Sequence, residues 1–244
     1  METENWLEWD EDTIHSFQEI FLTWYHQEKR NLPWRANTHT YNIWISEIML
    51  QQTRVDTVIG YYYRFMEEFP TIQDLANADE QKLLKIWEGL GYYSRARNLK
   101  VAAQQIMDDF DGVFPNTPEE ISTLKGIGPY TTGAISSIAF GLPEPAIDGN
   151  IMRVVSRLFE IDEDIAKASS RKVFDAATRA IISHEQPGEM NQAFMDLGSN
   201  ICNPTAPRCE ECPIQQFCLA YKNKRQTQFP IKTKKMKPKD DYYI

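Results

Sequence analysis

The sequence predicts an all-α fold, on three observations. Apolar residues recur at three- and four-residue spacings along most of the chain, sustained period-two alternation is absent, and proline- and glycine-containing stretches separate the stripes. The first stripe is Ile14, Phe17, Ile20, Phe21 and Trp24, the core-facing side of an amphipathic helix. Stripes at 41–53 and 55–68 follow, closed by "FPT" at 69–71, and then 79–87 and 94–110, closed by "FPNTPEE" at 114–120. In that last stretch Thr117 suits an N-cap, Pro118 a first helical residue and Glu120 the partner that completes a capping box, so a short helix is expected from about 117 to 124. The remaining stripes run over 129–140, 149–159, 169–184 and 190–201, separated by "GLPEPAIDGN" at 141–150 and "EQPGE" at 185–189. At 244 residues the chain can bury one large core or two small ones.

Composition narrows the functional classes. No run of about 18 apolar residues exists to span a membrane, and the acidic N-terminal stretch does not read as a secretory signal, so a cytoplasmic or otherwise intracellular protein without a membrane partner is expected. The formal charge of −9 argues against a nucleic-acid partner only as a single number. Six of those net charges lie in residues 1–13, whereas 93–107 carries only basic charge and 222–239 holds seven lysines and one arginine without an acid. A local basic footprint and an ordinary solvated face both fit that pattern.

Cys202, Cys209, Cys212 and Cys218 are all the cysteines of the chain and fall within 17 residues, as C-x6-C-x2-C-x5-C. Four thiolates at that spacing suit a metal site, an iron–sulfur cluster or a structural zinc, and serve as a staple more readily than as a redox centre. Asn203, Pro204, Pro207 and Pro213 keep the ligand stretch from becoming helix. The other chemical signal is "LKGIGPYTTGAI" at 124–135. A glycine-rich turn at Gly126 and Gly128, with Pro129 opening a helix, offers backbone N–H groups at the positive end of a helix dipole, which suits a phosphate.

The hairpin "LKGIGPYTTGAI", "IDGN" at 147–150 and the cysteine spacing resemble the endonuclease III superfamily of helix-hairpin-helix DNA glycosylases. Within it, "LPWR" at 32–35, "WISEIMLQQT" at 44–53 and "GLGYYSRARNL" at 89–99 resemble the A/G-specific adenine glycosylases, over roughly residues 14–220. The resemblance implies a two-lobed fold: a helical bundle over 31–141 carrying the hairpin, and a lobe of 1–30 with 142–221 built around a [4Fe–4S] cluster, followed by a basic tail at 222–244. It further implies double-stranded DNA with adenine opposite 8-oxoguanine or guanine as substrate, a monomer, and a catalytic core lacking the C-terminal domain that helps to recognise 8-oxoguanine.

Cleavage of an N-glycosidic bond calls for a proton donor and an ionised carboxylate. By resemblance these are Glu47, on an apolar helix where desolvation raises its pKa, and Asp148, held ionised by nearby amides. Tyr130 and Asn150 are expected to assist Asp148, and Tyr130 stands where strand-nicking relatives carry a lysine able to form a Schiff base. The resemblance also implies that Leu32, Trp34, Arg35 and Gln192 line an adenine pocket. Gln52, Thr53, Leu90 and Tyr92 then meet the substrate, with Gln52 and Tyr92 probing the base stack. Gly126, Gly128, Tyr130, Arg95 and Arg97 are expected on the DNA side, with Lys100 beside them. A thymine-mismatch glycosylase and a non-catalytic DNA-binding module with a metal staple are the alternative readings.

Overall fold

The computed structural model describes residues 8–233, and among them there are helices and no strands. Residues 1–7 and 234–244, which hold the first acids and four of the tail's seven lysines, lie outside the described residues. In chain order the helices are α1 (Glu11–Glu28), α2 (Thr40–Leu50), α3 (Val55–Glu68), α4 (Ile72–Ala76), α5 (Glu80–Trp87) and α6 (Ser94–Asp109). They continue as α7 (Pro118–Ile121), α8 (Pro129–Phe140), α9 (Gly149–Phe159), α10 (Arg171–Ile181), α11 (Pro187–Asn200) and α12 (Leu219–Lys222).

Local chemistry sets most of the ends. Asp10 caps α1 by accepting the Thr13 N–H at 2.9 Å. α2 stops at Leu50, three residues short of its stripe, because Gln51 turns out of the helix and Gln52 enters the left-handed region at φ 59°. α4 is too short to show a stripe and is held by a capping box between Thr71 and Asp74. α7 covers only part of the expected 117–124. Thr117 does accept the Glu120 N–H, but the Glu120 carboxylate takes the Thr117 hydroxyl at 2.9 Å rather than its backbone N–H. α11 begins at Pro187, where proline is tolerated as a first helical residue, and α10 is trimmed on its N-terminal side by a 3-10 turn at Ala168–Ser170.

The buried apolar side chains form two clusters. One joins Trp44, Phe65, Trp87, Leu99 and Ile135 of α2 to α8. The other joins Phe17 and Phe21 of α1 to Val155, Phe174 and Phe194 of α9, α10 and α11. α8 packs on α2 and on α11, so it touches both. Gly133 makes this possible on one side: a Cβ there would sit 2.1 Å from the Pro145 carbonyl oxygen. The connection after α8 therefore lies hard against the helix and delivers Asp148, three residues on, to the seam between the clusters.

Candidate active site

Glu47 projects from the middle of α2 and is 6 % exposed. The Tyr130 hydroxyl, from the first turn of α8, donates to its Oε2 at 2.6 Å. Burial pushes the Glu47 carboxyl above its ordinary value and the negative charge of Asp148 adds to this, while the Tyr130 hydrogen bond and the Arg35 charge oppose it. The Tyr130 phenol is raised in turn, first by burial and then by the two carboxylates.

Asp148 is the N-cap of α9 as well as a partly buried carboxylate. It accepts the Ile151 N–H at 2.7 Å and the Asn150 amide at 2.8 Å. These bonds hold its pKa down, yet burial outweighs them and the net direction is upward, opposite to what a helix N-terminus alone produces. Asn150 is oriented by the Arg153 guanidinium, which donates to its Oδ1 at 2.8 Å, so the side-chain amide faces Asp148. Of the two residues expected beside Asp148, Asn150 is bonded to it and Tyr130 is bonded to Glu47 instead.

Glu47 and Tyr130 share a small cavity of about 70 Å³ with Leu32, Trp34, Arg35 and Gln192. That volume holds about two waters, so a purine enters only if the walls move. Trp34, Arg35 and Gln192 also face a larger open cleft of about 510 Å³ that does not reach Glu47. Behind the wall, Asp196 of α11 gathers two guanidiniums: Arg30 reaches it at 2.7 and 3.1 Å, and Arg35 at 2.7 and 3.1 Å. Asp196 and Arg30 were not among the sequence candidates. Their only signal was an acid four residues after Gln192, on the buried side of its helix.

The remaining candidates are spread over the surrounding loops. Gln52 and Tyr92 are both exposed and both left-handed, at φ 59° and φ 47°. Thr53 is half-buried beside Gln52, and Leu90 is 6 % exposed, inside the first apolar cluster and outside the cavity. Gly126 sits at φ 81°, and a Cβ would approach the Asn98 Cβ to 2.8 Å, so the turn requires glycine. Gly128 is exposed and gives α8 no side-chain cap. Arg97 is exposed and paired with Glu80 at 3.1 Å, and Lys100 is half-buried.

Arg95 corrects the expectation of a surface cation. It is 8 % exposed and its guanidinium turns inward, where main-chain carbonyls and the Thr53 hydroxyl accept from Nη1 and Nη2 while Nε has no partner among the described residues, so no charge is left on the surface to meet a phosphate.

The four cysteines line one further cavity, of about 30 Å³, together with Arg157. Their thiolate forms are disfavoured: burial pushes Cys212 up to about 12 and Cys218 up to about 11, and the neighbouring cysteines add to both. The Arg157 guanidinium approaches the Cys202 Sγ at 3.2 Å. Among the described residues no three His, Cys, Asp or Glu side chains gather closely enough for a single metal ion. The set is thus four sulfurs around one small void, whose thiolate forms are disfavoured unless positive charge lies among them.

Residues 45–179 match the HhH-GPD superfamily of base excision DNA repair proteins. The chain is 42% identical over 218 residues to the adenine DNA glycosylase of Rattus norvegicus, covering 85% of this chain and 42% of that one. It is 38% identical over 224 residues to the adenine DNA glycosylase of Buchnera aphidicola subsp. Schizaphis graminum, covering 91% and 65%. The chain thus spans from about two-fifths to just under two-thirds of these relatives' length. Among solved structures, a thermostable thymine-DNA glycosylase superposes with a TM-score of 0.78 at 26% identity, covering 86% of this chain and 97% of that one. An endonuclease III trapped as a covalent intermediate with DNA gives 0.71 at 21%, covering 88% and 99%, a likeness of fold.

Proposed function

The chain belongs to the HhH-GPD superfamily of base excision DNA repair proteins, and from that premise we propose that it hydrolyses the N-glycosidic bond of adenine mispaired with 8-oxoguanine or guanine in double-stranded DNA, leaving an abasic site. The observation that carries the reading is the buried Glu47 carboxyl with the Tyr130 hydroxyl 2.6 Å away, beside a second carboxylate at Asp148. A non-catalytic module has no use for two carboxyls raised by burial. Identities of 36–42% to adenine glycosylases, against 26% to a thymine glycosylase, favour adenine as the base.

In the proposed mechanism the base is first turned out of the duplex into the cavity, because Glu47 cannot reach it in the stack. Protonated Glu47 then gives its proton to the adenine ring nitrogen N7, and the bond from the sugar to the base breaks with its electron pair leaving on the base. Asp148, ionised, stabilises the sugar cation that remains. Water adds to the sugar carbon and its proton goes to Glu47, which restores the acid. Tyr130 is a phenol and cannot form a Schiff base, so the strand stays intact.

Gly126, Gly128 and the α8 N-terminus are read as a phosphate contact, and Leu32, Trp34, Arg35 and Gln192 as walls of the base pocket. The two apolar clusters support two lobes, 31–141 and 1–30 with 142–221, with the site at their seam. Cys202, Cys209, Cys212 and Cys218 fit a [4Fe–4S] cluster, whose iron would let all four sulfurs be thiolates at once. Bound there, its contribution would be to fix the loop from 202 to 218.

The test is single-turnover base release from duplexes carrying adenine opposite 8-oxoguanine, adenine opposite guanine and thymine opposite guanine, with alkali added to one half of each sample. Adenine release that becomes strand cleavage only after alkali is the expected result. Thymine release, or cleavage without alkali, would overturn it.

A further inference from the structure

We propose that Arg95 is a positioning residue for base extrusion: its one guanidinium fixes the two loops that present Gln52 and Tyr92. The proposal rests on the reading that those two residues face the DNA.

Gln52 follows α2 and Tyr92 follows α5, in connections that are separate in sequence. Each is an exposed, non-glycine residue held in the left-handed region, which persists only where surroundings over-determine it. The surroundings converge on Arg95. Its Nη1 donates to the carbonyls of Ile48 and Met49 at 2.9 Å and of Gln51 at 2.7 Å. Its Nη2 donates to Thr53 Oγ1 at 3.2 Å and to the carbonyls of Leu90 at 3.1 Å and Gly91 at 3.2 Å. The residues on both sides of Gln52, and the two that precede Tyr92, are therefore tied to one planar group. The guanidinium also lies 5.2 Å from the Trp87 ring and 5.8 Å from the Tyr92 ring, so the wedge side chain itself packs on it.

The charge balance points the same way. Arg95 is buried and makes no ion pair among the described residues, so its desolvation is offset by carbonyl dipoles, the Thr53 hydroxyl and ring faces. The carbonyls of Ile48 and Met49 belong to the last turn of α2, where a cation is favoured. A buried cation bound to six acceptors in two loops is a costly way to fill space and an efficient way to lock two loops in register. Lysine keeps the charge but cannot span those acceptors with one compact ammonium.

The experiment compares the parent protein with Arg95→Lys and with Gly91→Ala. Gly91 is at φ 71° with nothing within 4 Å of a Cβ, so the alanine disturbs only the backbone of the second loop. Two readings are taken: single-turnover adenine release from an A:8-oxoguanine duplex and from a strand whose adenine faces a one-nucleotide gap, and the fluorescence of 2-aminopurine beside an uncleavable adenine in the duplex. Both variants should lose on the order of 10- to 100-fold in release from the duplex, with the extruded fraction falling in step, while release from the gapped strand changes less than roughly threefold. An equal loss on both substrates, or unchanged extrusion, would show that Arg95 only supports the fold and would overturn the proposal. Should Arg95→Lys fail to fold, Arg95→Gln takes its place and is judged by the same two outcomes. A parent protein that extrudes adenine but releases none would sink the glycosylase reading instead, and the fluorescence would still judge Arg95.

Discussion

At the scale of single residues, the proposed site rests on a carboxyl whose protonated form is favoured by burial. Glu47 owes its raised pKa mainly to burial, and the sign of the consequence is fixed. A carboxyl whose folded pKa lies above its unfolded value of 4.5 contributes stability that is fully present below 4.5 and is lost as the pH rises through the folded pKa. Glu47→Gln keeps the shape and an acceptor for Tyr130 but cannot ionise. Its melting temperature should therefore exceed the parent's at pH 8, with the gap closing toward pH 4, while base release falls by about 10²- to 10⁴-fold. A variant that melts lower at pH 8 would contradict the assignment of a desolvated acid. In the parent, release should decline on the alkaline side through the raised pKa of Glu47 and on the acid side as Asp148 takes up a proton, a bell in a pH–rate profile. Glu47 was legible through the resemblance of "WISEIMLQQT", since an acid on an apolar helix reads equally as an exposed residue until the family is named. Arg95 was misread for the matching reason: a basic run looks alike whether a given side chain points outward or folds back onto carbonyls, and only the loop geometry decides.

At the scale of elements, the helix positions follow from close contacts that a sequence pattern does not display. The helical periods and most of their punctuation were readable, because each helix of two turns or more buries a stripe. The ends were less so. α2 ends early where Gln51 leaves the helix and Gln52 turns left-handed, and five-residue α4 has no room for a period. The tightest contact with backbone is Gly133 of α8 against Pro145. Neither partner can yield there as a flexible side chain would, so Gly133→Ala should cost about 3 kcal/mol in a urea melt. It should also slow base release, because the same stretch delivers Asp148. Loss of stability with release unchanged would separate the two roles.

At the scale of the whole molecule, the seam between the two apolar clusters is crossed by the ion cluster of Arg30, Arg35 and Asp196. Asp196 is nearly inaccessible, and removing its charge leaves two guanidiniums facing each other with nothing between them. Asp196→Asn should lower stability by about 3 kcal/mol. It should also move the alkaline limb of the pH–rate profile downward, since an unneutralised Arg35 holds the Glu47 carboxyl lower. An unmoved limb would mean that Arg35 swings away once released. This arrangement was not legible: its members lie more than 160 residues apart, and no local pattern announces them.

The same distance governs how the chain must be made. Phe21 of α1 packs edge-on against Phe194 of α11, with ring centroids 4.9 Å apart. At ordinary translation speeds roughly 10–30 s separate the appearance of these two rings. For that interval the first helix has left the ribosome without the surface it is shaped to cover, and its oily side is a natural resting place for a chaperone. Residues 31–141 emerge and can collapse around their own core in the meantime. Glu47 is then in place before Asp148 has been synthesised, and the two carboxyls meet only once the later half of the chain has joined the earlier one.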